Sequence, residues 1–184
     1  LFSALGAQVT VLEMLPRILL PVEVELARRY RSVLKKQGIE LVVEARVEEI
    51  APAEKGLMVY YQADQQRQAV RADLVLNATG RVPFSEGLGL EELGVIRQRG
   101  QVQVDERMAT NVPGLYAVGD VTGKGMLAHV ASRQGEVAAE VIAGHESRMD
   151  YRAVPYVVYS SPEIAGVGLT SQEAKEQGIQ VEVG

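Results

Sequence analysis

Two carboxylates and one glycine directly follow apolar runs of the kind that form buried strands. Glu13 follows Val9–Leu12, Asp120 follows Leu115–Val118 through Gly119, and Gly80 closes a third run. In open α/β sheets, ligands bind at the carboxyl ends of the strands. The spacing therefore predicts a ligand site built from strand ends.

Glu13 has the position that binds ribose in a dinucleotide-binding β-α-β unit, where a carboxylate accepts hydrogen bonds from the adenosine ribose hydroxyls. A carboxylate also repels a 2′-phosphate. At ~4 Å and an effective dielectric near 20 the repulsion is about 4 kcal/mol, or roughly three decades of affinity. Glu13 then favours NAD over NADP. The alternative is a solvated glutamate at the end of a strand.

Asp120 lies between a predicted strand and a glycine-containing loop that leads into a helix. A carboxylate in that place accepts hydrogen bonds from the hydroxyls of a polyol. The helix begins near Met126–His129, where free N–H groups and the positive end of the dipole stabilise negative charge on a ring system. Gly80 allows a cofactor to approach the backbone closely. The alternatives are an Asx turn at Asp120 and an ordinary turn glycine at Gly80.

The chain offers little else for catalysis. It has no cysteine and two histidines, His129 and His145. The absence of cysteine excludes a disulfide scaffold, a thiolate metal site and thiol redox catalysis by these residues alone. A lone histidine near a helix start is more often a packing or capping residue than a catalyst. No histidine or carboxylate pair has metal-ligand spacing, so we predict neither a catalytic residue nor a metal site.

The elements that position these residues begin with a predicted β-α-β unit. Residues 8–13 and 39–43 are strand-like, and between them a helical pattern opens at Pro21 and ends at Gly38. Two strands connected by a helix favour parallel pairing. The inward face of the helix has apolar residues at spacings of three and four, namely Val22, Leu26, Tyr30, Val33 and Leu34.

Further elements follow downstream. Short alternating segments predict an antiparallel meander laid over the parallel sheet, at residues 47–50, 57–62 and 69–72. The apolar runs Asp73–Ala78 and Leu115–Val118 predict buried strands. Helical patterns cover residues 127–143 and 171–177, the second of them capped by Ser171. The predicted inward positions of the first are Leu127, Val130, Ala131, Gln134, Val137, Ala138, Val141 and Ile142.

Composition sets the broad class. The 184 residues carry a net charge of −5 and are 47% hydrophobic, which is typical of an ordinary globular protein and not of a nucleic-acid binder. No uncharged apolar run approaches the ~20 residues of a membrane span, and we see no signal peptide. We therefore expect a cytoplasmic protein.

The first residue is Leu, and the chain stops inside an alternating pattern at residues 179–184. We interpret it as a piece of a longer protein.

Three runs together resemble the FAD-dependent pyridine-nucleotide disulfide oxidoreductases. They are residues 9–13, 78–83 and 110–120, with the sequences VTVLE, ATGRVP and TNVPGLYAVGD. Within that family, residues 126–129 (MLAH) with Gly135-Glu136 are most similar to the dihydrolipoamide dehydrogenases. Residues 154–159 and 161–170 resemble the start of the family's dimerisation domain.

The resemblance implies an α/β fold with Rossmann-like NAD(P)- and FAD-binding domains, each a parallel sheet with an antiparallel meander, and the start of an α+β dimerisation domain. It divides the chain into an NAD-binding domain at residues 1–83, without its first strand and Gly-rich loop. The returning part of the FAD-binding domain then occupies residues 84–150, and the beginning of the dimerisation domain occupies residues 151–184.

The resemblance also implies cofactors and roles. Glu13 would hold the NAD ribose, Val47 would line the adenine side, and Gly80 would contact NAD through its backbone. Asp120 would bind the ribityl chain of FAD. Met126, Leu127, Ala128 and His129 would contact the flavin end through the helix N-terminus. The family's redox-active cysteine pair and its His–Glu pair fall outside the matching residues, so no catalytic residue is assigned.

The implied activity is electron transfer from a dihydrolipoyl dithiol, through a disulfide and FAD, to NAD. The implied partners are a second copy, bound through the C-terminal domain, and the lipoyl domain of a 2-oxoacid dehydrogenase complex. A mercuric reductase, a glutathione reductase-like enzyme and a soluble transhydrogenase are alternatives within the family. A catalytically silent cofactor-binding fragment is the alternative outside it.

Overall fold

A computed structural model describes residues 1–182 of the chain. Two compact units are present: the first contains Leu1–Asn77 and the segment from Val157 onward, and the second contains Ala78–Tyr156. In chain order the elements are β1 (Thr10–Leu12), α1 (Val24–Lys36), β2 (Glu40–Val42), β3 (Arg46–Pro52), β4 (Leu57–Ala63), β5 (Gln66–Ala72), β6 (Arg97–Gln98), β7 (Gln101–Val102), α2 (Ala128–Ile142), β8 (Pro155–Val158), β9 (Ile164–Val167) and α3 (Ser171–Glu176).

The predicted β-α-β unit is confirmed. Strands β1 and β2 pair in parallel, with Thr10 opposite Glu40. Helix α1 begins at Val24 and not at Pro21, because the side chain of Glu23 caps it by accepting a hydrogen bond from the Val24 N–H.

The inward face of α1 is only partly as predicted. Val22 and Leu34 are buried, as expected, whereas Leu26 is exposed and Ala27 is buried. The smaller side chain therefore takes the inward position. Ala27 and Leu34 are seven residues apart and therefore lie on one face of the helix, which is the buried face.

The meander is also confirmed. Strands β3, β4 and β5 form an antiparallel sheet in that order. The buried residues Ala45, Tyr61 and Ala63 form a core cluster against which Leu12 and Val42 of the parallel pair are packed. The meander thus lies on the parallel strands, as the sequence predicts.

Two predicted strands are wrong. Asp73–Ala78 forms no strand within residues 1–182, and its Leu74 and Leu76 side chains are 88% and 73% exposed. Leu115–Val118 forms only an isolated bridge from Tyr116 to Ala109. A strand needs a hydrogen-bonded neighbour, and an apolar run specifies a preference for burial without specifying that neighbour.

The second unit is built around α2, whose prediction from the sequence is confirmed within one residue at each end. Its buried face includes Val130, Val137, Ala138 and Val141, which cluster with Met108 and Met149. Leu127 and Ile142, also predicted to point inward, are exposed because they lie at or next to the two ends of the helix, beyond the cluster.

Helix α3 begins beside a carboxylate that also caps α1. The predicted helix is present, but Thr170 is its N-cap in place of Ser171, and Thr170 forms a capping box with Glu173. The Ser171 N–H donates to Glu23 Oε2 at 2.7 Å, while Glu23 Oε1 caps α1. One carboxylate therefore satisfies the N-termini of two helices in the first unit. The hydrogen bonds from Ser171 and then that from Val24 lower the pKa of Glu23.

The remaining features of the fold concern its ends and its helices. The alternating pattern at the end of the chain forms no strand over residues 179–182, and residues 183 and 184 lie outside the described residues. Within the part of the chain that the structure describes, no helix combines the length and the apolar character that crossing a bilayer requires.

We predict that Glu23→Gln lowers the melting temperature of the protein at pH 7 by several degrees. Glutamine has one acceptor oxygen and can cap only one of the two helices. Because the folded-state pKa of Glu23 is lowered, its contribution is complete above about pH 4.3 and is lost as the pH falls through the folded value. The difference between parent and variant should therefore shrink as the pH falls below about 4.3, as followed by circular dichroism.

Glu25→Gln is the matched control, since Glu25 lies in the first turn of the same helix and makes only exposed ion pairs with Arg28 and Arg29. Such pairs contribute little. Equal losses in the two variants at pH 7 would show that the double cap has no special role.

Candidate functional site

The candidate residues are divided between the two units. Glu13 and Val47 belong to the first unit, and Gly80, Asp120 and residues 126–129 belong to the second. Each group is positioned by its own set of backbone hydrogen bonds.

Glu13 lies directly after β1, at the carboxyl end of the parallel pair. Its N–H donates to the Val42 carbonyl at 2.9 Å, and its own carbonyl accepts from the Ala45 N–H at 2.9 Å. In its side chain, Oε1 accepts from the Leu15 N–H at 2.8 Å. Oε2 has no hydrogen-bond partner within residues 1–182. The carboxylate is thus fixed through one oxygen and retains the other as an acceptor for a hydroxyl group.

Val47 lies near the beginning of β3, opposite Tyr61. The strand register shifts between Val47 and Glu49, and the Val47 side chain is partly exposed. Because the Ala45 N–H binds the Glu13 carbonyl, β3 begins beside the turn that carries Glu13. The structure therefore brings Glu13 and Val47 to neighbouring places, with a carboxylate oxygen and an apolar side chain both accessible.

Gly80 has a backbone conformation that side chains rarely adopt. Its φ is +112°, and a Cβ built on it would have no atom within 4 Å. Glycine is therefore required by the conformation of the turn and not by crowding. The open space beside the backbone leaves room for a ligand to approach it.

The structure brings two of the sequence motifs into contact. Arg81 Nη2 lies 3.4 Å from Asp120 Oδ2, and the two side chains are 80% and 48% exposed. The loop backbone of residues 119–124 donates no hydrogen bond to this carboxylate, so the Asx-turn alternative is wrong. An exposed ion pair contributes little to stability. Asp120 therefore presents an accessible carboxylate beside the turn at Gly80 and Arg81.

The loop that carries Asp120 is a short 3₁₀ helix, Gly119–Thr122. Gly119 has a φ of +81°, and a Cβ there would lie 3.5 Å from the Cβ of Ala131 in α2. The buried Thr122 donates from Oγ1 to the Gly119 carbonyl at 2.8 Å, and the Gly123 N–H donates to the Asp120 carbonyl at 3.0 Å. The loop is closed by its own hydrogen bonds and packs on the first turns of α2.

Gln134 lies on the predicted inward face of α2, and the sequence predicts no role for it. Its side chain is fully buried. Oε1 accepts from the Gly119 N–H at 2.6 Å, and Nε2 donates to the Lys124 carbonyl at 3.2 Å and to the Tyr151 hydroxyl at 2.9 Å. The signal that could have identified it is a polar residue among apolar ones at helical spacing.

The N-terminus of α2 follows the same loop. Leu127 is the N-cap residue and makes no side-chain cap. The first-turn N–H groups of an α-helix have no intrahelical acceptor, and the helix dipole places partial positive charge there. This end of α2 can therefore stabilise a negative charge on a ligand.

His129, in the first turn of α2, contacts the main chain. Its Nε2 lies 2.7 Å from the Pro155 carbonyl, and because a carbonyl only accepts, Nε2 carries a proton. The side chain therefore has a structural hydrogen bond. Among the described residues no cluster of histidine, aspartate and glutamate has the arrangement of a metal site.

The groups at these two places can bind a ligand by hydrogen bonds and apolar contact. The first unit offers a carboxylate oxygen for hydroxyl groups next to an apolar side chain. The second unit offers an accessible carboxylate, an open glycine backbone and a helix N-terminus. These are groups that hold a polyol chain and a ring with partial negative charge. They include no nucleophile and no acid–base pair.

Comparison with known proteins gives two family matches. The sequence model described as "Pyridine nucleotide-disulphide oxidoreductase" matches residues 1–135. The model of the dimerisation domain of the same family matches residues 154–184. Together they account for most of the chain in the order expected for the two regions.

Individual relatives agree with these matches. The chain is 42% identical over 181 residues to the dihydrolipoyl dehydrogenase of Geobacillus stearothermophilus, covering 98% of this chain and 38% of the relative. It is 43% identical over 180 residues to that of Chlamydia pneumoniae, covering 97% and 38%. The chain thus spans less than half the length of these curated relatives.

A solved structure with a similar fold is the HOCl-induced flavoprotein disulfide reductase RclA from Escherichia coli. The two superpose with a TM-score of 0.82 at 30% identity, covering 96% of this chain and 40% of the other. The similarity confirms the Rossmann-like α/β class predicted from the sequence.

We predict that Gly80→Ala destabilises the protein by about 1–2 kcal/mol, because a side chain is forced into a rarely populated backbone conformation. Gly135→Ala is the control. Gly135 lies inside α2, a Cβ there has no atom within 4 Å, and alanine should stabilise the helix by up to about 1 kcal/mol. Urea unfolding of the two variants measures both effects, and a neutral Gly80→Ala would contradict the requirement for glycine.

Proposed function

The chain belongs to the pyridine nucleotide-disulphide oxidoreductase family, and we propose that it is the central part of a flavoprotein that oxidises a protein-bound dihydrolipoyl dithiol with NAD. The proposal concerns the whole protein, since this chain covers 38% of the dihydrolipoyl dehydrogenases with which it shares 42% and 43% identity. The resemblance of MLAH at residues 126–129 to this subfamily favours the dihydrolipoyl substrate.

One observation carries the proposal: the contact between Arg81 and Asp120. It places an accessible carboxylate beside the open backbone of Gly80, on a loop that packs against the first turns of α2. A polyol needs hydroxyl acceptors, and a pyrophosphate or an electron-rich ring needs N–H donors. This corner of the second unit offers both, so the residues present fit FAD.

The proposed binding roles follow the same chemistry. Asp120 accepts hydrogen bonds from the ribityl hydroxyls of FAD. Residues 126–129 present helix N–H groups to the flavin end. Glu13 accepts from the adenosine ribose of NAD through its unoccupied Oε2, Val47 covers the adenine side, and Gly80 meets NAD through its backbone.

When bound, FAD supplies the two-electron chemistry that links a dithiol to NAD. The residues of this chain orient the bound cofactors and tune the electrostatic environment of the flavin ring. The N-terminus of α2 favours negative charge at the ring that it faces. The carboxylate of Glu13 disfavours a dinucleotide with a 2′-phosphate. Neither the α2 N-terminus nor Glu13 moves a proton or forms a bond to the substrate.

The proposed organisation has three parts. Residues 1–83 belong to the NAD-binding domain, residues 84–150 to the returning part of the FAD-binding domain, and residues 151–184 to the beginning of the dimerisation domain. The dimerisation-domain match at residues 154–184 supports the last boundary and a homodimer. We propose further that the protein acts in the cytoplasm and that a lipoyl domain of a 2-oxoacid dehydrogenase complex delivers the dithiol.

A second candidate function is the reduction of a different disulfide. It is favoured by the structural similarity to RclA, which is a flavoprotein disulfide reductase. Assays of the full-length protein with dihydrolipoamide and NAD, and with NADH and small disulfides, distinguish the two. Turnover of dihydrolipoamide with NAD supports the first proposal, and turnover of other disulfides alone supports the second.

We predict that Asp120→Ala in the full-length protein loses FAD on purification, because the ribityl hydroxyls lose their acceptor. The ratio of absorbance near 450 nm to that near 280 nm measures the flavin content. Asp73→Ala is the control, since Asp73 is an exposed aspartate in the other unit. Full flavin content in the Asp120 variant would show that this carboxylate does not hold the ribityl chain.

We predict that Glu13→Ala weakens NAD binding and relaxes the preference for NAD over NADP by at least about tenfold, because the repulsion of the 2′-phosphate disappears. The ratio of kcat/KM for the two dinucleotides measures the preference. Glu40→Ala is the control, since Glu40 begins β2 beside Thr10, at the opposite end of the parallel pair. An unchanged ratio in Glu13→Ala would mean that Glu13 is merely a solvated glutamate.

A further inference from the structure

Gln134 is a buried polar side chain with every hydrogen-bonding atom used. Its exposure is 0%, and the surrounding face of α2 is apolar. An apolar residue of the same size would leave the backbone groups that bind this amide without their partner, which costs stability. The presence of an amide here therefore calls for a role that an apolar side chain cannot fill.

The partners of this amide are the two ends of the loop that carries Asp120. Gly119, directly before Asp120, donates its N–H to Oε1, and Lys124, after the loop, accepts from Nε2. These two partners fix the orientation of the amide, since an N–H only donates and a carbonyl only accepts. Gln134 thus connects both ends of the loop to the middle of α2.

At its far end the loop has one other anchor, since Lys124 Nζ donates to the Val104 carbonyl at 2.7 Å, but that bond does not reach α2. The ion pair of Asp120 with Arg81 is long and exposed, and Thr122 and Gly123 bind only within the loop. The third bond of Gln134, to the Tyr151 hydroxyl, lies away from the loop. Among the described residues, the hydrogen bonds that connect the Asp120 loop to α2 are those of Gln134 to residues 119 and 124.

We propose that Gln134 is a positioning residue for flavin binding: it holds the Asp120 loop in register with the N-terminus of α2, so that one ligand meets both. It does not touch the ligand. This inference rests on the proposed function, because it assumes that Asp120 and the α2 N-terminus bind the same FAD molecule.

The test uses apoprotein prepared from the full-length protein and titrated with FAD, with flavin fluorescence as the readout. Gln134→Met keeps the length of the side chain and loses both loop bonds. At about tenfold for each bond we expect the FAD dissociation constant to rise about 100-fold. Gln134→Glu keeps the acceptor for the Gly119 N–H, and it should restore the affinity to within about tenfold of the parent.

Two variants separate positioning from core packing. Tyr151→Phe removes only the third bond, so it should lower the melting temperature and leave the FAD dissociation constant within about threefold of the parent. Glu140→Met, on the exposed side of the same helix, should change neither. A purely structural role predicts instead that the loss of affinity follows the loss of stability across all the variants.

Several outcomes would overturn the inference. They are near-parental FAD affinity in Gln134→Met, no recovery in Gln134→Glu, and a loss in Tyr151→Phe as large as that in Gln134→Met. If Gln134→Met does not fold, Gln134→Glu and Tyr151→Phe decide, with a larger affinity loss expected in the former. A parent protein that binds no FAD would overturn the proposed function as well, whereas a parent that binds FAD confines any failure to Gln134.

Discussion

Both units depend on one constraint, which is that backbone N–H and C=O groups at the ends of short elements must find partners. The strands of the parallel pair are three residues long, and the Asp120 loop is a single 3₁₀ turn, so end groups make up much of the backbone. The chain satisfies many of them with side chains that bind two places at once. Glu23 caps α1 and also accepts from the Ser171 N–H at the start of α3, and Gln134 binds both ends of the Asp120 loop.

The same device explains how accessible polar groups are held in place. Glu13 uses Oε1 for the Leu15 N–H and keeps Oε2 available. The Asp120 carboxylate accepts no hydrogen bond from the backbone of residues 119–124, and Gln134 connects the loop to α2 instead. The atoms that hold Glu13 and the Asp120 loop in place are thus different from the carboxylate oxygens that stay available to a ligand. A carboxylate that bound its own loop through both oxygens would have none left for a hydroxyl group.

Local pattern was sufficient to predict the parts of the fold whose partners are close in sequence. The β-α-β unit, the meander, α2 and α3 are confirmed, because each is specified by periodicity, turn residues and caps within a short stretch. Asp73–Ala78 and Leu115–Val118 are not strands, because pairing depends on a neighbour that the run itself does not encode. At the site, Gly80 and Asp120 follow no strand within residues 1–182, whereas the place of Glu13 at the end of β1 could be predicted. The contact of Arg81 with Asp120 could not, since 39 positions separate them.

Gln134 shows why a site can be recognised from sequence more readily than its support. Carboxylates and glycines after strands have a chemical meaning that is evident in isolation. A glutamine inside an apolar helical face has two opposite meanings: it is either a tolerated defect or a required amide. The structure decides between them through the geometry of the partners. A donor on one side and an acceptor on the other, each at one end of the same loop, require an amide. Residues of this kind determine how precisely a ligand group is placed, although they never touch the ligand.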